Sequence, residues 1–169
     1  MTISAEEISI RTEIVPGDLG TIVRLHGRLY AAEYGYGISF EAYVASGISE
    51  FYRNYDPQKD RLWICEHHGS IVGTLLLMHR PNRAAQLRYF LVLPEYRGIG
   101  LGRKLMDLFM GFLRGCGYRS AYLWTTHELT VAAGLYKRYG FELTEEKESG
   151  AFGKRVREQR YELLITPPR

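Results

Sequence analysis

Gly98, Gly100 and Gly102 alternate with Ile99 and Leu101 after an apolar run, Leu87 to Leu93, Pro94 and the short polar link Glu95-Tyr96-Arg97. Apolar residues at Leu101, Leu105, Leu108, Phe109 and Phe112 then follow helical spacing. The order is strand, glycine-rich turn, helix start. N–H groups at a helix start have no partner inside the helix, and the helix dipole favours negative charge in front of them. Glycines without Cβ let an anion approach the main chain. This stretch therefore predicts a site for a phosphate-bearing ligand, with Arg97 and Arg103 placed to add positive charge.

Other reactive side chains point less clearly to chemistry. Cys65 lies in the apolar run Leu62-Trp63-Ile64-Cys65, and Cys116 lies at the far end of the helix from the glycines. Neither has a neighbouring Cys or His at metal-ligand spacing, so both read as thiols, with a disulfide left open. His67-His68 sits between two apolar runs and lacks further ligands, so no metal site is expected. A dinucleotide fingerprint needs an acidic residue about 20 positions beyond the loop, where this chain has Tyr118-Arg119-Ser120-Ala121. A nucleoside-triphosphate loop needs Gly-Lys-Ser/Thr, which is absent.

The elements that must carry these residues can be taken in order. Ile8 to Val15 alternates as a half-buried strand, broken by Pro16-Gly17-Asp18, where Asp18 can cap the next element. Helical spacing runs from Leu19 to about Glu33, and again from Gly37 or Ser39 through Tyr52 to the stop at Asn54-Tyr55-Asp56-Pro57. Arg61 to Glu66 and Ile71 to Met78 flank His67-His68-Gly69-Ser70 as a hairpin. Gln86 to Leu93 is the strand before the glycines, and the helix from Leu101 to Arg114 stops at Gly115-Cys116-Gly117. Ser120 to Trp124 is a strand. Thr125 and Glu128 have capping-box spacing for a helix through Tyr136 that stops at Gly140. Phe141 to Thr144 and Glu158 to Ile165 are closing strands, Glu145 to Gly153 an exposed loop, and Thr166 to Arg169 a tail. Alternating helices, hairpins and crossovers predict one mixed α/β domain over residues 1–169.

Composition excludes several classes. Residues are 46% hydrophobic and 24% charged, as in an ordinary globular domain. A net charge of +3, with scattered Lys and Arg, gives no basis for nucleic-acid binding. There is no apolar signal core at the N-terminus and no apolar run near the ~20 residues of a membrane span, so a cytoplasmic protein is expected. Exposed sheet edges and the aromatic content leave a homodimer open.

Arg97-Gly98-Ile99-Gly100-Leu101-Gly102 fits Arg/Gln-x-x-Gly-x-Gly/Ala, and Ala132 to Phe141 follows one strand later. This constellation resembles the GNAT N-acetyltransferase superfamily. The runs Leu123 to Leu129 and Glu158 to Leu163 look like the acetyltransferase half of proteins that fuse a MarR-type DNA-binding domain to a GNAT domain. The resemblance implies a twisted sheet of about seven strands flanked by about four helices. It implies transfer of an acetyl group from acetyl-CoA to a primary amine of a small molecule or peptide, by direct attack in a ternary complex. The alternative is a non-catalytic acyl-CoA-binding or sensing module. By the same resemblance, Leu91 and Val92 hold the pantetheine arm through their main chain, with a backbone amide near Val92 steadying the oxyanion. Arg97, Gly98, Ile99, Gly100, Leu101, Gly102 and Arg103 hold the pyrophosphate, and Tyr136 protonates the leaving thiolate. Tyr30, Glu33, Tyr34 and Tyr36, a carboxylate among aromatics, suit a cationic amine, with aromatic packing under a loop as the open alternative. Relatives often carry an asparagine where this chain has Leu129, and a glutamate on the strand before or after the glycine-loop helix, where this chain has none. Water, His127 or Glu128 are left as bases.

Overall fold

The computed structural model describes residues 2–167. Pro168 and Arg169 of the expected tail lie outside them. The elements are β1 (Ser9–Arg11), α1 (Asp18–Tyr34), α2 (Ile38–Arg53), β2 (Arg61–His67), β3 (Ser70–Arg80), β4 (Ala84–Val92), α3 (Leu101–Gly115), β5 (Ser120–Thr126), α4 (Thr130–Arg138), β6 (Glu142–Ser149) and β7 (Val156–Leu164). The strands form one seven-stranded sheet in the order β1-β2-β3-β4-β5-β7-β6, with β4 and β5 parallel and the other pairs antiparallel. Mixed α/β architecture, seven strands and four helices agree with the expected fold.

Helices cover both faces of the sheet, so its central strands are apolar on both sides. On β2 and β3, Leu62, Ile64, Leu76 and Met78 meet Ile22, Val44, Ile48 and Phe51 of α1 and α2. Trp63, Cys65, Leu75 and Leu77 face the other way, toward Leu105, Met106, Phe109 and Leu113 of α3. Each such buried side chain contributes roughly 1.5–3 kcal/mol by transfer from water. The β2–β3 hairpin turns on His68 and Gly69, at φ 49° and 76°, the positive pair that a two-residue turn between twisted strands requires.

Several boundaries differ from expectation for local reasons. Only Ser9–Arg11 of the expected Ile8–Val15 strand pairs with β2. Beyond it the Glu13 carbonyl accepts from Arg11, and the Val15 N–H donates to Asp18. Asp18 does not cap α1; Gly17 occupies the cap position. The Asp18 carboxylate instead takes both terminal nitrogens of Arg11 at 2.7 and 2.8 Å, while Arg11 also bonds Glu66. That hydrogen bonding holds Asp18 below the usual carboxylate range. The expected loop from Glu145 to Gly153 is largely strand: β6 continues to Ser149 along β7. It is an edge strand with almost every residue exposed, so no apolar alternation marks it. The capping box of Thr125 and Glu128 does not form, because β5 runs on to Thr126 and α4 begins at Thr130 behind Leu129.

Candidate active site

A fault in β4 builds the site. Thr74 of β3 pairs with Leu91, but Leu76 pairs with Arg88, so β4 carries one extra residue. That bulge holds Tyr89 at φ 52°, a conformation that costs a bulky residue of order 1–3 kcal/mol. The Thr74 hydroxyl donates to the Tyr89 carbonyl at 2.7 Å and steadies it. A bulge breaks the alternation of faces. Arg88 and Tyr89 consequently both turn toward α1 and α2, the Arg88 guanidinium lying over the Tyr89 ring. The parallel pairing of β4 with β5 covers only Ala84–Gln86 against Ser120–Tyr122. Beyond it the two strands separate, and the β5-facing edge of β4 has no strand partner among the described residues.

A groove of about 420 Å³ lies along that edge and in front of α3. Leu91, Val92, Arg97, Gly98, Gly100, Leu101, Gly102 and Arg103 line it, joined by Arg138 from α4. Ile99, expected among them, packs its side chain on the core instead. Gly98 and Gly100 stand at φ 79° and 88°, and no side chain among the described residues caps the helix. The first intrahelical bond is Lys104 N–H to the Gly100 carbonyl, at 3.0 Å. The Leu101, Gly102 and Arg103 amides therefore point forward without a helical acceptor, a cradle that fits an anion such as a pyrophosphate. Arg97 reaches back, donating to the Val92 carbonyl at 3.0 Å and pairing with Glu33 at 2.7 Å. Glu33, expected at the amine, is thus spoken for by Arg97 on the groove wall, where Tyr34 also lies.

A second cavity, of about 100 Å³, opens where β4 and β5 part, on the α1–α2 side. It meets the groove at Tyr30 and Leu129, which line both. Its walls are mostly aromatic: Tyr36, Tyr43, Tyr89, Trp124, Tyr136 and Phe152. Phe152, expected in an exposed loop, is buried against Tyr36 and Phe40, because Gly37 N–H bonds its carbonyl at 2.8 Å. The next residue, Gly153, lies so close to Gly37 that a Cβ would stand 3.2 Å from the Gly37 nitrogen. The Tyr36 hydroxyl shares a hydrogen with Thr126 at 2.6 Å, and burial pushes its pKa up to about 12. Tyr136 is packed among Phe90, Phe141 and Tyr161, its hydroxyl has no hydrogen bond to any described residue, and burial raises it well above the usual phenol range. His26 is buried with Nδ1 on the Ile22 carbonyl at 2.8 Å, and burial pushes its pKa down to about 4.

The polar lining of this cavity was not evident from local sequence. Glu158 of β7 stands opposite Thr126 of β5 and lines the cavity. The carboxylate missing from β4 and β5 arrives from a strand paired at long range. Its only local signal is the every-second-residue run Val156, Glu158, Arg160. His127 lines neither cavity; its Nδ1 accepts the Arg157 N–H at 3.1 Å. Glu128 sits on the groove and pairs with Lys154 at 3.0 Å. Neither is set as a base for the small cavity. No group of three or more metal-ligating side chains occurs among the described residues, and no described helix is long and apolar enough to cross a membrane.

Comparison with known proteins agrees with this geometry. Residues 28–141 match the acetyltransferase (GNAT) family. YjgM of Escherichia coli, an uncharacterized N-acetyltransferase, is 33% identical over 119 residues, covering 68% of this chain and 71% of its own. Among solved structures, a GNAT-family acetyltransferase from Staphylococcus aureus superposes with a TM-score of 0.75 at 18% identity, covering 94% of this chain and 99% of its own. The Salmonella typhimurium protein yncA, solved with its cofactor acetyl-CoA, gives 0.71 at 16% identity over 96% of each chain. The chain belongs to the GNAT acetyltransferase family.

Proposed function

We propose that this member of the GNAT family transfers an acetyl group from acetyl-CoA to a primary amine, with residues 1–169 acting as one domain. The observation that carries the reading is the uncapped start of α3 opening onto a groove that joins an aromatic cavity at Tyr30 and Leu129. When bound, acetyl-CoA supplies the acetyl group as a thioester. The Leu101, Gly102 and Arg103 amides hold its pyrophosphate, with Arg103 and Arg138 adding charge at the rim. The open edge of β4 at Leu91 and Val92 offers main-chain groups to the pantetheine arm, and an amide there faces the developing oxyanion. Arg97 acts indirectly, tying Glu33 to the Val92 carbonyl and so fixing the groove wall.

The acceptor amine enters the aromatic cavity and is itself the nucleophile, with no covalent enzyme intermediate. Glu158 takes its proton and Tyr136 Oη gives one on the sulfur side. The likeness to MarR-fused acetyltransferases belongs to this reading. Its two runs cover the end of β5 with the turn after it, and most of β7, the strands that bring Trp124 and Glu158 to the cavity. A non-catalytic sensing module drew its support from the missing carboxylate, and Glu158 weakens that support. The test is free CoA thiol measured with acetyl-CoA and a panel of primary amines. Amine-dependent release supports transfer, whereas acetyl-CoA binding with no amine-dependent release refutes it.

A further inference from the structure

We infer that the acceptor is a small zwitterion of the α-amino acid type, its amine directed to Glu158 and its carboxylate to Arg88. This rests on the reading that the aromatic cavity receives the acceptor.

Arg88 is a fixed cation without a counter-ion among the described residues. Its guanidinium lies over the rings of Tyr43 and Tyr89, 5.6 and 4.9 Å from their centres. Behind it stands Gly47 of α2, where any Cβ would collide with the guanidinium and the Tyr89 hydroxyl. Among the described residues the Arg88 guanidinium makes no hydrogen bond or ion pair. Glu50, whose carboxylate feels the Arg88 charge, is held by Arg80 at 2.8 Å. A guanidinium has five donors in a planar fork and no acceptor, and carboxylate is the partner that fork matches. The bulge brings Tyr89 to the same face of β4, directly beneath this cation.

Glu158 is the complementary anion. Lys147 is its register partner on β6, yet the Lys147 ammonium lies over the Trp124 ring, 4.5 Å from its centre, and makes no ion pair with Glu158. One unpaired acid and one unpaired base therefore line a cavity of about 100 Å³ whose remaining walls are largely aromatic. It suits an acceptor of a few heavy atoms. A polyamine would bring a second cation toward Arg88 and find no second carboxylate there.

The test compares kcat/KM for CoA release with free α-amino acids, the same amino acids as carboxamides, and linear diamines, on the wild-type chain and on Arg88→Met and Arg88→Lys. Loss of a charge-assisted, two-point contact predicts a drop of about 10–100-fold from amino acid to carboxamide on the wild-type protein. Arg88→Met removes that preference by losing activity on the free acids while keeping activity on carboxamides, and Arg88→Lys restores part of it. Carboxamides or diamines accepted as well as free amino acids overturn the zwitterion while leaving acetyl transfer intact. Acetyl-CoA binding without CoA release by any amine overturns both.

Discussion

Replacing Tyr136 by Phe removes one oxygen from a site where that oxygen has no hydrogen-bond partner among the described residues. Its ring, 5% exposed, is held by Phe90, Phe141 and Tyr161 at centroid distances of 6.1–6.3 Å, and those contacts survive in the variant. No buried partner is left unsatisfied, so stability should change by less than about 1 kcal/mol, or roughly 2–4 °C in Tm for a chain of this size. Acid catalysis by a positioned side chain is worth about 10²–10⁴-fold, or roughly 2.7–5.4 kcal/mol at 1.36 kcal/mol per tenfold. Turnover should therefore fall much further than stability, with acetyl-CoA affinity by calorimetry nearly unchanged. Burial raises the Tyr136 pKa, so the phenol stays protonated throughout the neutral range. The wild-type rate should show no loss from its ionisation up to about pH 10, the usual phenol value. Undiminished turnover in the Phe variant would refute the role. A fall in Tm as large as the fall in rate would make Tyr136 structural.

Glu158 carries no ion pair among the described residues, so Glu158→Gln should lower kcat about 100-fold or more through loss of the base while leaving Tm unchanged; an equal rate returns the proton to water. Gly100 stands at φ 88° with open space where a Cβ would lie, so Gly100→Ala meets backbone strain alone, of about 1–2 kcal/mol. If the loop relaxes to escape that strain, acetyl-CoA affinity should weaken by about tenfold with acceptor KM unchanged, as read by calorimetry and initial rates. Asp18→Asn removes the charged partner of Arg11 at the start of α1 and should cost roughly 2–3 kcal/mol in urea unfolding. Because the folded Asp18 pKa is depressed, its stabilisation is present above the unfolded value near 3.9 and is lost as pH falls through the folded one. The Asp18→Asn variant should therefore lack that part of the acid sensitivity, and an unchanged acid limb of the unfolding curve would contradict the assignment.

The sequence was most legible where chemistry and element order coincide locally. Gly98 to Gly102 announce the α3 start because strand, turn and helix are contiguous, and β2 and β3 read as buried strands because both faces are apolar. What escaped depends on partners distant along the chain. Glu33 looked free for an amine until Arg97 reached it from across the groove. Glu158 became part of the cavity only once β7 paired with β5. The bulge at Tyr89 has no glycine to mark it; it follows from the register between β3 and β4. Thr125 and Glu128 had capping-box spacing, but strand pairing carried β5 through Thr126 and overrode that preference. β6 was hidden because an edge strand exposed along almost its whole length shows no periodicity.

The most direct measurement is a quenched time course that follows free CoA thiol and the N-acetylated amine together, with and without acceptor. The account predicts both products in equal amounts, appearing only when acetyl-CoA and amine are present together. CoA release without N-acetylated product, or acetyl-CoA binding with no release at any amine concentration, would contradict it.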